Sequence, residues 1–216
     1  MATNEESKLE NKITKKLVLV GPDAIGKTAL LQAALQGQLP PKQSPGSYNC
    51  TAPNENGIET QVTIELWDTS GAFEWVRLEP LKYTQASVIV VAYPIDWPHY
   101  FELTEERWLP ELDHCAPGVL IILVGLRKDR RDDADLDELS PTKRFISKKE
   151  GDELARRIRA VAFIECSSVT GEGVEEVFKA AARAALCGPK RKIVKHKKLR
   201  ARWRLRQCVL RILDQF

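Results

Sequence analysis

The sequence predicts an α/β protein in which helices flank a doubly wound, mostly parallel sheet, and three observations predict it. Short apolar runs rich in β-branched residues recur along the chain, amphipathic helical patterns fall between them, and a glycine-bearing loop joins the first run to the first helix. Strands that are apolar on both faces belong in a sheet covered on both sides. Alternation at this spacing puts a ligand site at the carboxyl ends of the strands. A chain of 216 residues, 43% apolar and 29% charged, suits one domain with a sizeable core and an appendage, and excludes a collagen-like, wholly disordered or disulfide-stapled chain.

The first strand is KLVLV at 16–20, followed by a helix over 27–36. Residues 37–60 are rich in Pro, Gly, Asn and Ser, so a long surface loop with at most a short strand is expected there. QVTIELW at 61–67 and SVIVVAY at 87–93 are the next strands, and 101–113 is a helix. VLIILVG at 119–125 is a strand, after which the charged stretch 130–146 reads as an insertion. A helix over 147–159 opens on Ser147-Lys148-Lys149-Glu150, a capping box. VAFIE at 161–165 is the last strand. The last helix, 173–186, carries Val174, Val177, Phe178, Ala181 and Ala185 on one face and stops at Gly188-Pro189.

Charge is unevenly spread. Of 33 Lys+Arg and 30 Asp+Glu, residues 188–216 hold 11 and one, leaving 22 against 29 in the rest. An acidic body with a tail of net +10 is not a uniformly cationic nucleic-acid binder, and no nucleic-acid partner is expected. The five cysteines (Cys50, Cys115, Cys166, Cys187, Cys208) form no Cys-x-x-Cys pair, which indicates neither a zinc site nor a disulfide framework and fits a reducing compartment. No secretory signal or membrane-spanning run stands out. The protein is therefore expected to be cytosolic or peripheral on the cytosolic face of a membrane.

Gly21-Pro22-Asp23-Ala24-Ile25-Gly26-Lys27-Thr28 matches the phosphate-loop pattern where its mechanics require, between a strand and a helix. Such a loop needs inward-pointing backbone N–H groups, here from residues 24–29, at the positive end of a helix. It also needs a lysine for the β and γ phosphates, Lys27, and a hydroxyl for Mg²⁺, Thr28. The alternative, a turn that merely starts a helix, needs none of these. Trp67-Asp68-Thr69-Ser70-Gly71 ends the next long strand, where Asp68 can hold Mg²⁺ through water and Gly71 can offer an N–H to a γ-phosphate.

With these motifs the sequence resembles the Ras superfamily of small GTPases, and within it the Rho family. The resemblance covers about residues 14–187. It also includes RLEPLKY at 77–83, WLPEL at 108–112, IILVG at 121–125, the Asp129–Asp133 run, ECSS at 165–168, and a charged insertion where Rho proteins carry an extra helix. It implies a six-stranded sheet in the small-GTPase arrangement, a nucleotide site for GTP or GDP with Mg²⁺, effector proteins as partners, and a monomer. The expected organisation is a polar extension over 1–13, a GTP-binding domain over 14–187 and a basic tail over 188–216.

The resemblance implies the base site as well. Leu126-Arg127-Lys128-Asp129 stands where the family has Asn/Thr-Lys-x-Asp. Asp129 can accept two guanine N–H groups, which adenine does not supply. Arg127 replaces the lysine whose stem lies over the base, and Leu126 lacks the polar group that braces the loop. Ser167, Ser168 and Val169 match the segment whose backbone meets the guanine O6. The nucleotide-binding residues are thus expected to be Asp23 to Ala29, Asp68, Gly71, Arg127, Asp129 and Ser167 to Val169.

Hydrolysis is where the chain departs from the family. Asp23 stands at a phosphate-loop glycine, beside the γ-phosphate and in the path of an arginine finger, and Ala72 stands at the water-orienting glutamine. Weak or absent hydrolysis is expected. For the first switch, whose threonine meets Mg²⁺ in the family, two registers compete. Gapless counting from Thr28 puts Gly46 at the threonine and Leu39 at the aromatic residue against the base, whereas aligning Pro45-Gly46-Ser47-Tyr48-Asn49-Cys50-Thr51 makes Thr51 the metal ligand. The leading expectation is a GTP-loaded, hydrolysis-poor Rho-like protein in cytoskeletal or polarity signalling. The rivals are a pseudo-GTPase scaffold with weak or no nucleotide binding and a turning-over GTPase with a rearranged site.

The tail has two readings. Leu199, Trp203, Leu210 and Leu213 at helical spacing among dense positive charge suggest that residues 190–213 bind anionic membrane or a calmodulin-type partner. A solvated tail or nuclear-import signal is the plainer reading. Five residues follow Cys208-Val209-Leu210-Arg211, so the family's prenylation box is not terminal, and palmitoylation of Cys187 or Cys208 is the available lipid.

Overall fold

The computed structural model describes residues 13–36, 46–54, 56–68, 82–136 and 144–187. Six strands form one sheet, β1 (Ile13–Val20), β2 (Gly46–Pro53), β3 (Glu59–Asp68), β4 (Ala86–Pro94), β5 (Leu120–Leu126) and β6 (Ala162–Glu165), in the order β2-β3-β1-β4-β5-β6. β1 lies centrally and runs parallel to β3 and β4, and β5 and β6 extend the parallel part. Only β2 among them is antiparallel, paired along β3 at the edge. This is the mixed six-stranded α/β sheet expected.

Two apolar layers cover the sheet because successive side chains of a strand face opposite ways. Leu17 and Leu19 pack with Leu30, Val177 and Phe178 on one face, under helices α1 (Lys27–Ala34) and α5 (Val174–Cys187). Val18 and Val20 pack with Trp108, Leu112, Leu154 and Ile158 on the other. That second face lies under α2, which spans Pro98–Leu103, a π-helical turn over Thr104–Trp108 and Leu109–Cys115. Pro110 has no N–H to give the preceding turn, and the widened turn ends two residues before it.

Helix α3 is Lys128–Leu136 and α4 is Lys148–Ile158. The expected capping box of α4 forms: Glu150 N donates to Ser147 Oγ at 3.3 Å, and Ser147 N to Glu150 Oε2 at 2.9 Å. The Ser147 N–H bond contributes most to holding the Glu150 carboxyl below its usual pKa range, helped by Ser147 Oγ donating to it at 2.8 Å and by Arg144. Gly151 lets α4 close on the sheet, since a Cβ there would lie 2.1 Å from Phe163 Cζ.

Two expectations change. The stretch 37–60 was expected to be essentially loop, but eight of its residues form β2. Its composition hides a period-two pattern in which Tyr48, Cys50 and Ala52 turn toward the core, with Tyr48 4.9 Å from Phe178. Pro53 is tolerated because it ends an edge strand. Asn54 Oδ1 then accepts from Asn56 N and Ile58 N at 2.9 and 3.0 Å, closing the turn into β3. The charged insertion is helical over 130–136, continuing α3, and irregular over 144–146, while 137–143 lie outside the described residues. No helix among the described residues is long and apolar enough to cross a membrane.

Candidate nucleotide site

The phosphate loop leaves the central strand at Gly21 and is shaped by backbone. Gly21 has φ +148°, and a Cβ on it would sit 2.4 Å from the Ala92 carbonyl oxygen of β4. Ala24 (φ 57°) and Gly26 (φ 109°) turn the chain again, while fully buried Ile25 pins the loop to the core. Gly26 caps α1 without a side-chain bond, so the first N–H groups of the helix keep the unpaired donor character of a helix start. Lys27 is 6% exposed and donates to the carbonyls of Gly21 at 3.0 Å and Pro22 at 2.6 Å, closing the loop on itself. Burial pulls the Lys27 pKa down, and the carboxylates of Asp23 and Asp68 push it back. A cation is thereby stationed inside a ring of backbone groups, which suits a polyphosphate.

Thr28, at the second position of α1, donates through Oγ1 to Asp68 Oδ2 at 2.6 Å. The bond joins the two motifs expected to hold Mg²⁺, and a hydroxyl beside a carboxylate is the oxygen donor set that ion favours. Gly71 and Ala72 lie outside the described residues, as do Leu39, the Cys187 side chain, 1–12 and the tail 188–216.

Thr51 is corrected. It pairs with Gln61, seven residues back along β3 from Asp68, a separation of about 23 Å at ~3.3 Å per residue. Strand pairing holds it away from the metal donors, so it is not a ligand there. Gly46 pairs with Leu66, next but one to Asp68 along β3.

The base end lies where β5 and β6 finish. A cavity of about 300 Å³, at the lower end of the usual range for small-molecule sites, is lined by Ile25, Gly26 and Ala29 from the phosphate-loop side and by Arg127, Asp129 and Ser168 from the base side. Leu126, Arg130 and Val169 complete the wall. Asp129 falls in the first turn of α3. Ser167 is 1% exposed, and its Oγ accepts from Val169 N and Thr170 N, both at 3.2 Å, so it shapes the loop from beneath while Val169 projects, 84% exposed.

The bracing that Leu126 does not supply comes from four other contacts. Lys128 N donates to Cys166 O at 3.1 Å, the Lys128 ammonium pairs with Glu172 and with Asp132, and Arg127 Nη2 donates to Ala24 O across to the phosphate loop. Burial pushes the Cys166 thiol up to about 12, with Asp129 and Glu165 adding to it. Sequence reasoning missed Asp96 and Trp97, which touch Arg127. No local sequence pattern marks either residue.

A phosphate loop at the end of the central strand, a Thr-Asp pair beside it and a cavity at the ends of β5 and β6 define the class of small P-loop nucleotide-binding proteins. The comparisons with known proteins specify it further. Residues 16–187 match the Ras family. The chain is 37% identical over 202 residues to GTP-binding protein RHO1 of Saccharomyces cerevisiae, covering 93% of this chain and 97% of that one. It is 39% identical over 198 residues to GTP-binding protein Rho1 of Kluyveromyces lactis, covering 86% and 93%. The chain belongs to the Ras family and, within it, is a Rho-like small GTP-binding protein.

Proposed function

We infer that this Rho-like protein binds GTP or GDP with Mg²⁺, hydrolyses GTP weakly or not at all, and signals in the GTP-loaded state through effector proteins in cytoskeletal or polarity control. The observation that carries the reading is an asymmetry at the phosphate end. The binding elements are present, with Lys27 inside the loop and Thr28 bonded to Asp68. The hydrolytic positions carry Asp23 and Ala72. Asp23 is exposed on the loop and close enough to act on Lys27 electrostatically, so its charge stands where a transferring phosphoryl group and an incoming arginine would meet. Ala72 has no group with which to orient water.

Lys27, Thr28 and Asp68 would hold phosphates and metal, and Asp129 with the 167–169 backbone would hold the base. The metal, when bound, neutralises charge on the β and γ phosphates. Because positioning and charge stabilisation supply nearly all of phosphoryl-transfer catalysis, losing the water-orienting group and admitting an extra negative charge leaves binding without turnover. Control then passes to abundance and location. The domain over 14–187 is the switch body, monomeric, and residues 190–213 draw it to anionic membrane on the cytosolic side. Vesicle binding that falls with salt is the expected result for the tail, and salt-independent binding would contradict it.

Single-turnover hydrolysis compares the parent with the Asp23→Gly, Ala72→Gln double variant. Faster hydrolysis by the variant is expected, and equal rates would sink the assignment of these two positions. The second reading, a scaffold with weak or no nucleotide binding, draws on the buried Leu126 at the bracing position and on Gly46 at the start of β2. The nucleotide that co-purifies separates them: GTP supports the first, none supports the second, and GDP favours a turning-over enzyme.

A further inference from the structure

Arg127 holds three neighbours at once. Its backbone is left-handed, φ 64°, at the junction of β5 and α3. Nη2 donates to Ala24 O in the phosphate loop, Nη1 donates to Asp96 Oδ2 at 3.4 Å, and Cζ lies 4.9 Å from the centre of the Trp97 ring. Asp96 and Trp97 belong to the turn after β4, which is fastened to β5 by Ile95 N donating to Leu126 O at 2.9 Å. Trp97 leans in turn on Tyr100, ring centres 5.4 Å apart.

Asp96 is 7% exposed, and its second oxygen, Oδ1, is buried with no hydrogen-bond partner among the described residues. Arg127 is the cation facing that buried carboxylate. A guanidinium is planar, always charged, and able to stack on a ring while its edges donate, which an ammonium cannot do. The replacement of lysine by arginine at 127 and the presence of Trp97 are therefore complementary, and Arg127 also lines the cavity.

We propose that Asp96 and Trp97 are positioning residues of the base site: they clamp Arg127 by charge and by stacking, so that its guanidinium forms a fixed wall of the cavity and ties the base loop to the phosphate loop. The proposal rests on the guanine-nucleotide reading of that cavity. A wall of this kind touches the face of a base and not its edge, so it slows release of any purine diphosphate that binds and does not choose among them.

The test is release of radiolabelled GDP, with Mg²⁺ present, from the full chain. Trp97→Ala and Asp96→Asn are each expected to accelerate release about 3- to 30-fold, the range of a partly desolvated cation–π or charged contact. Trp97→Phe keeps a ring and should stay within about twofold of the parent. In an Arg127→Ala background, Trp97→Ala should add less than about twofold, because its partner is gone. Inosine diphosphate release should accelerate by the same factor as GDP in Trp97→Ala, leaving the ratio of the two unchanged. Trp97 is 40% exposed, so its alanine variant should fold even if the Asp96 variant does not. Unchanged release in Trp97→Ala, multiplicative effects with Arg127→Ala, or a changed inosine-to-guanosine ratio would each overturn the positioning role alone. A parent that binds no GDP refutes the guanine reading first, and the positioning role with it.

Discussion

The two ends of the nucleotide cavity solve the same problem in different ways. At the phosphate end the geometry is written in backbone: Gly21, Ala24 and Gly26 take positive φ, and few side chains beyond Lys27 and Thr28 are specified. At the base end it is written in side chains: Arg127, Lys128 and Ser167 each bond across a loop, and the family pattern is altered at 126 and 127. Where the backbone cradle packs on β4 it tolerates no side chain, because a Cβ on Gly21 would meet the Ala92 carbonyl, although Asp23 shows that its exposed side accepts one. A side-chain lattice can be rewired, since another residue can supply a lost bond. The difference predicts steep, local effects at the phosphate end and graded, distributed ones at the base end.

The steepest test is Lys27→Ala. It removes the buried cation that the proposed function gives to the phosphates, together with the donor to the Gly21 and Pro22 carbonyls. Losing a partner of this kind costs roughly 2–5 kcal/mol, so GDP affinity measured by calorimetry should fall on the order of a thousandfold. A loss of less than tenfold would mean that the backbone alone carries the site.

Next is Gly21→Ala, which needs no ligand. The added methyl meets the Ala92 carbonyl at 2.4 Å, and the backbone is already in a conformation that favours glycine. Neither wall can move cheaply, and urea unfolding should report a loss of about 3 kcal/mol. A neutral substitution would show that the cradle is softer than the comparison requires.

The base end is probed through pH. Cys166 lies under the loop, fully buried, with its thiol pushed up to about 12 from an ordinary 9.0. Between those values the unfolded chain loses its proton and the folded chain keeps it. The neutral thiol therefore contributes stability that is fully present below pH 9 and is lost as pH rises toward 12. The limiting slope is about 1.4 kcal/mol per pH unit. Comparing unfolding free energies of the parent and Cys166→Ala across pH 8–11 isolates that slope from other alkaline titrations. Parallel curves would place Cys166 in a more open environment than its burial implies.

Most of the fold was legible because strands in a covered parallel sheet must be apolar on both faces, so KLVLV, SVIVVAY and VLIILVG announced themselves. β2 was not, because an edge strand needs only one apolar face, and GSYNCTAP spreads that face over Tyr48, Cys50 and Ala52 among turn-forming residues. The phosphate loop was legible for the reason it is intolerant: so few residues satisfy it that the pattern is compact. The first-switch register was open in the sequence because Gly46 and Thr51 both satisfied partial patterns, and the pairing of β2 with β3 bears only on Thr51, which it sets far along β3 from Asp68. Asp96 and Trp97 were invisible because their role comes from meeting Arg127 across 31 positions of chain, and no local pattern encodes that contact.

The smallest expected effect is the most direct measure of how distributed the base end is. Ser167→Ala removes the acceptor for Val169 N and Thr170 N. The loop keeps Ser167 N donating to Glu172 O at 2.9 Å and Gly171 N donating to Ser167 O at 3.0 Å, and Lys128 still pairs with Glu172 from outside. Each lost bond is worth roughly 0.5–1.5 kcal/mol, and Val169 N and Thr170 N can turn to water in an exposed loop. Stability should therefore fall by about 1 kcal/mol, while GDP release quickens only a few-fold. If Ser167→Ala instead matched Gly21→Ala in cost, the base loop would be as rigidly specified as the cradle, and the contrast between the two ends would fail.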